Sequence, residues 1–328
     1  MLFTLFTSLA LVLPIAATPA SNNSCTPEKV KIRPELTNMA TTDKHAYLKA
    51  VNCLMELPAK TGINGTVTRF DDMHAMHQVQ SKDIHIVAQF LPFHRFYMHV
   101  YEELLRDECG YDGPTPWWDE TRDAGNFMAS PLLDPDTGFG GNGTGPDGCV
   151  TDGPFANTTL RIGPGQTLTE HCLSRNVNEF NSTLGNETYV QECHQITNFK
   201  DFWETGGLTT HGAGHSGIGG VMADIDASPG GTVSQYFRSQ SLYHADQELT
   251  TLDPLFYIHH AFVDRLWWKW QSEDPANRLY QLGGPVKQGG SEETTLDYIM
   301  TTYGIRPNVT VKDVMDIQDG YLCYEYDY

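Results

Sequence analysis

The alternation of apolar and polar positions divides the chain into an apolar leader, several helical segments and long irregular stretches. Residues 44–58 (HAYLKAVNCLMELPA) carry apolar side chains three and four apart, which predicts a helix with one buried face. The same period predicts helices over 90–106 (FLPFHRFYMHVYEELLR), around 205–218 and over 254–271. Asp253 and Pro254 open the last of these as N-cap and first helical residue. Residues 110–165 are rich in Gly, Pro, Asp, Asn and Thr, the composition of a long loop region. Residues 229–252 are polar and aperiodic, whereas Val309, Val311, Val314 and the stretch from Tyr321 to Tyr324 fit one or two short strands. The expectation is a mainly α protein whose helical core is wrapped by loops, with a few short β-strands.

The leader, residues 1–20 (MLFTLFTSLALVLPIAATPA), is an apolar run that ends in small residues. It is too short, and too interrupted by Pro14, to span a bilayer, and reads as a signal peptide cleaved between Ala17 and Ala20, although no basic residue precedes it. That predicts a secreted protein, free of the membrane after cleavage. Seven N-x-S/T sequons, at Asn22, Asn64, Asn142, Asn157, Asn181, Asn186 and Asn308, then become candidate glycosylation sites. The 7 cysteines are scattered without a C-x-x-C pair, which in an oxidising compartment reads as disulfides with one thiol left over. With 21 Lys+Arg against 41 Asp+Glu and a formal charge of -20, nucleic acid is excluded as a partner. No internal repeat or long linker interrupts residues 21–328, so they are expected to form one catalytic domain.

The 13 histidines fall into two clusters. His211 and His215 are four apart and share one helical face; His260 lies on the next predicted helix, with Asp264 one turn later on the same stripe as Phe256, Val263 and Trp267. In that position Asp264 is expected to orient an imidazole. The other cluster is His74, His77, His85, His94 and His99, with His94 on a helix among Phe90, Phe93, Tyr97 and Tyr101. Each half offers three histidines from two helices, and no carboxylate or thiol stands at the implied ligand positions. An all-imidazole set suits copper, zinc or iron rather than magnesium or calcium. Two facing three-imidazole sites leave open positions between the metals, which suits a diatomic such as dioxygen.

Two motifs resemble those of the tyrosinase and catechol oxidase family of type 3 copper proteins. His85-IVAQ-FLPFHR is similar to its first copper signature, H-x4-F-L-x-[FW]-H-R, and Asp253-PLFYIHHAFV-Asp264 to its second, D-P-x-F-x3-H-x3-D. His211-GAG-His215 supplies the preceding H-x3-H, and Cys323-Tyr-Glu-Tyr326 resembles the tyrosine motif that closes the catalytic domain. The resemblance, which runs from about residue 25 to 328 and is nearest to short secreted fungal members, implies an antiparallel four-helix bundle holding two copper ions. Copper A would be held by His77, His85 and His94, with His74 as the rival of His77; copper B by His211, His215 and His260, with His259 beside them. The implied activity is oxidation of o-diphenols to o-quinones by O2, extending to monophenols or o-aminophenols, in pigment or secondary-metabolite formation. A reversible oxygen carrier of the hemocyanin kind is the alternative.

The chain departs from the family in four places. Asp83 stands where many members carry a cysteine cross-linked to the loop histidine, so that thioether is absent. Gly212 replaces the asparagine that follows the first copper B histidine in strong monophenol hydroxylases, leaving Glu204 as the substitute base. The stretch after His260 is too short for a shielding C-terminal domain. Finally, residues 231–252 are an unusual insertion, either a substrate loop near copper B that includes His244 or a translated intron.

Overall fold

The computed structural model describes residues 25–163, 167–223 and 252–328. The expected signal segment, Asn22, His244 and the insertion up to Thr251 lie outside the described residues. The main helices are α1 (Thr41–Glu56), α2 (Arg69–Val79), α3 (Phe90–Cys109), α4 (Phe199–Leu208), α5 (Thr210–Ile218) and α6 (Leu255–Glu273). The architecture is the helical one expected, with α3 packed against α1 and α6, and α5 against α4 and α6. None of the described helices is long and apolar enough to cross a membrane.

Local chemistry sets the helix ends. Thr68 and Asp71 form a reciprocal capping box that starts α2. Gly110, at φ 68°, takes the left-handed conformation that terminates α3. The predicted helix over 205–218 is two helices, broken at Thr209 (φ -105°, ψ -92°), where Gly206 and Gly207 weaken the helical preference just before the break. At α6 the Asp253 side chain accepts from Leu255 N at 3.0 Å and Pro254 already takes helical dihedrals (φ -55°, ψ -22°), so the helix starts where the sequence suggests.

Strands are short. Lys31–Arg33 runs parallel to Tyr324–Tyr326, and two antiparallel pairs join Thr159–Leu160 to His171–Cys172 and Ile299–Met300 to Val309–Thr310. Disulfides link Cys25 to Cys323, Cys53 to Cys109 and Cys149 to Cys172, and the buried Cys193 is the seventh cysteine, free as the odd count requires.

Candidate metal centre

Each histidine of the two clusters is placed by a helix or its end. His77 lies on α2 and His94 on α3, while His85 caps the one-turn helix Ser81–Ile84. His211 and His215 project from α5, and His259 and His260 from α6. Among the described residues, two groups of side chains converge tightly enough to hold a metal: His77, His85 and His94; and His211, His215, His259 and His260. His74, one turn before His77, belongs to neither. The groups face each other, because the His94 and His260 rings stack at 4.4 Å with an interplanar angle of 13°. Phe256 packs on His260 at 4.1 Å and on His77 at 5.5 Å, which fixes the two halves against one aromatic floor.

The hydrogen bonds aim the ring nitrogens. Nδ1 donates to a backbone carbonyl in His85 (Ser81, 3.0 Å), His94 (Phe90, 2.8 Å), His211 (Gly207, 3.4 Å) and His215 (Met222, 2.7 Å). That fixes the tautomer and leaves the Nε2 lone pair free. Nε2 of His77 and of His94 lie 3.1 Å apart, and those of His215 and His260 3.4 Å apart. Nε2 of His85 and of His211 are buried with no hydrogen-bond partner. Lone pairs pointed at one another in a dry pocket are costly unless a cation sits among them. Burial first, and neighbouring imidazoles second, hold His77, His94, His211 and His260 well below the usual histidine range; burial also takes His85 to about 4 and His215 to about 3. Neutral rings are the ligating form.

The loop that carries His85 is held under strain. Ile86, a β-branched residue, sits at φ 56°, a conformation that survives only when its surroundings impose it. The surroundings here are Gln89. Its fully buried amide donates to Asp83 O at 2.5 Å and Val286 O at 2.7 Å, and accepts from Thr294 Oγ1 at 2.8 Å. Where the family's thioether would anchor this loop, an amide latch to residues 286–294 does so.

Two sequence expectations are corrected. Asp264 orients no imidazole: its carboxylate accepts from Arg95 Nε at 2.5 Å, Tyr324 Oη at 2.5 Å and Tyr326 Oη at 2.6 Å, because Arg95 on α3 and the C-terminal strand reach it first. The carboxyl that does engage a histidine of the cluster is Glu120, fully buried and bonded to His259 Nδ1, a residue that carries no spacing signal within the motif PTPWWDE. Burial pushes that carboxyl well up, and Asp119 and Asp123 add to the effect. Asn181 is the second correction. It is buried, and its amide donates to Ser216 O, so it has no room for a glycan. Glu204 is half-buried on α4, where burial raises its carboxyl while Lys200 and Asp201 act on it from the same helix.

A helical core in which a group of three histidines and a group of four face each other across α3 and α6 defines a dinuclear metal protein of the dicopper type. The model described as the common central domain of tyrosinase matches residues 67–273, and the chain belongs to that family. It is 37% identical to the tyrosinase-like protein phomQ1 of Diaporthe leptostromiformis, over 90% of this chain and 77% of that protein. It is 29% identical to the N-acetyl-6-hydroxytryptophan oxidase ivoB of Emericella nidulans, over 97% of this chain and 98% of that one. The structure of a single-site mutant of a polyphenol oxidase from Thermothelomyces thermophila superposes with a TM-score of 0.76 at 29% identity, covering 93% of this chain and 90% of that one. The protein is therefore a copper-dependent oxidoreductase with a dicopper centre.

Proposed function

We propose that the chain oxidises o-diphenols to o-quinones, with O2 reduced to water, and that His77, His85 and His94 hold copper A while His211, His215 and His260 hold copper B. His260 is assigned as the third copper B ligand because its ring stacks on His94 of the facing group, while His259 beside it is bonded through Nδ1 to Glu120. Bound copper supplies oxygen binding and electron acceptance; the chain supplies position and dryness. All six histidines are buried, so the reacting ring meets them in a site that excludes bulk water. Phe90, 4.8 Å from both His94 and His211, bridges the two halves of the centre and offers an incoming ring an aromatic edge.

The observation that carries the preference for diphenols is the lack, among the described residues, of a free base beside the imidazoles. Gly212 has no side chain to orient a water, Glu120 is engaged by His259 through Oε1 and pushed by burial toward its protonated form, and Glu204 shows no hydrogen bond toward the imidazoles among the described residues. A catechol, more acidic and more easily oxidised than a monophenol, needs such a base least. The ivoB and Thermothelomyces relatives are oxidases by name, which favours turnover over reversible oxygen carriage. The apolar leader, the three disulfides and the lack of a membrane-length helix among the described residues support a secreted protein in which 21–328 is the catalytic domain. Asn64, Asn142, Asn157, Asn186 and Asn308 are its candidate glycosylation sites, together with Asn22. The test is oxygen uptake by copper-loaded protein on 4-tert-butylcatechol, o-aminophenol, tyramine and guaiacol. Catechol oxidation well above tyramine oxidation supports the proposal; tyramine oxidised as fast, without a lag, refutes it.

A further inference from the structure

Away from the metal centre, five tyrosines run in file from the copper A triad to the surface. The Tyr97 ring, on α3, lies 5.6 Å from that of His77. Tyr257 of α6 stacks on Tyr97 at 5.7 Å and 8°, with the two hydroxyls 3.2 Å apart. Tyr101, one turn beyond Tyr97, stacks on Tyr257 at 3.5 Å and 8°. Its hydroxyl meets that of Tyr47 on α1 at 3.4 Å, and Tyr47 lies edge-on to Tyr111 at 5.6 Å. Tyr111 donates its hydroxyl hydrogen to Pro114 O and lines a surface groove of about 820 Å3.

Packing alone does not account for this file. Tyr47, Tyr97, Tyr101 and Tyr257 are all fully buried. Phenylalanine would fill the same volume without the cost of desolvating a hydroxyl, and these hydroxyls satisfy one another in pairs. What tyrosine has and phenylalanine lacks is an accessible one-electron oxidation.

We propose that these five tyrosines conduct oxidising equivalents out of the dicopper centre, one electron at a time, when oxygen is activated with no phenol in place. This rests on the copper-oxidase reading above, which supplies the oxidant. Tyr97 gives one electron to the centre and is refilled in turn from Tyr257, Tyr101, Tyr47 and Tyr111. Burial holds the hydroxyls of Tyr101 and Tyr257 far above the usual range, so the resting members are neutral phenols. As each interior ring is oxidised its proton shifts within the hydroxyl pairs Tyr97–Tyr257 and Tyr101–Tyr47 and returns when the ring is refilled, so none is lost to solvent along the way. Tyr111 ends short of one electron and of its phenolic proton, which passes to water, and rests as a neutral phenoxyl radical. A one-electron donor of the ascorbate or phenol class, reaching the groove, returns the electron and the proton. The chain thereby spares the histidines that surround the metals from oxidation.

The test uses full-length, copper-loaded enzyme and the variants Tyr101→Phe, Tyr47→Phe and Tyr111→Phe, which keep the ring packing. Each is reduced, mixed with O2 without phenol, and frozen for electron paramagnetic resonance; parallel samples are digested to quantify oxidised histidine in the peptides carrying His77, His85 and His94. The wild type is expected to show a tyrosyl radical that Tyr111→Phe loses. Tyr101→Phe and Tyr47→Phe should also lose it and accumulate at least threefold more oxidised histidine per O2 consumed, with unchanged kcat on 4-tert-butylcatechol. Tyr101→Phe and Tyr47→Phe break different links, so a folding defect in one leaves the other informative. Radical yield and histidine damage equal to wild type, with catechol turnover intact, overturn the proposal. A wild type that binds two coppers but consumes no O2 with catechol overturns the functional reading instead.

Discussion

One methyl group added at Gly214 should dismantle half of the metal centre. Gly214 lies on α5 between His211 and His215, and α5 presses there on α6. A Cβ at this position would stand 2.1 Å from His259 Nδ1, 2.3 Å from its Cε1 and 2.8 Å from its Cγ. The ring has nowhere to retreat, since it is fully buried and bonded to Glu120. Either the helices part, drawing His211 and His215 away from His260, or His259 swings off and leaves a buried carboxyl alone. Overpacking of this kind costs about 1–3 kcal/mol, and an unsatisfied buried partner adds about 1–3 kcal/mol. For a chain of this size each kcal/mol is worth on the order of 2 °C in Tm, so Gly214→Ala should melt several degrees lower as apoprotein. Metal analysis should find one copper per chain, retained at the His77 side. Gly207→Ala is the control: nothing lies within 4 Å of its Cβ, and α4 should gain up to about 1 kcal/mol. A Gly214→Ala protein that binds two coppers and melts with the wild type would refute the reasoning.

Three further outcomes are expected. His77→Ala should lose one copper per chain while His74→Ala keeps two, because only His77 joins the convergent triad; the reverse, read by metal analysis, would reassign the site. Burial raises the Glu102 carboxyl, but Arg33 and Lys31 outweigh burial and hold it at about 2. The unfolded chain therefore takes up this proton first, and on the order of 3 kcal/mol of stability, present above about pH 4.5, should drain away as the pH falls toward 2. Glu102→Gln should flatten urea-measured stability across that window, and an unchanged slope would count against the pairing. Native protein should expose no thiol to Ellman's reagent, and denatured, unreduced protein one per chain, from Cys193; any other count contradicts the three disulfides.

Much of the metal centre was legible because its spacing is local. The four-residue step from His211 to His215 and the signature around His94 are properties of single helices, and helical period carries them directly. What was not legible depends on partners distant in sequence. Asp264 has the right spacing from His260 to serve it, but Arg95 and the two tyrosines of the last strand, supplied by other elements, claim its oxygens. Glu120 was unreadable for the converse reason, since its role exists only where its loop meets α6. Disulfide pairing was closed to sequence reading as well, with Cys25 and Cys323 at opposite ends of the described residues. Thr209 shows a third limit: apolar periodicity continues across a break that only the backbone reveals.

The Gln89 latch has a consequence for how the centre comes into being. A sulfur–carbon tie to a histidine has to be made by oxidation after the chain has folded. The bonds from Gln89 to Asp83, Val286 and Thr294 need no oxidant and close as the loops meet. The loop that carries His85 is thus anchored by folding itself, and its anchoring requires no maturation chemistry.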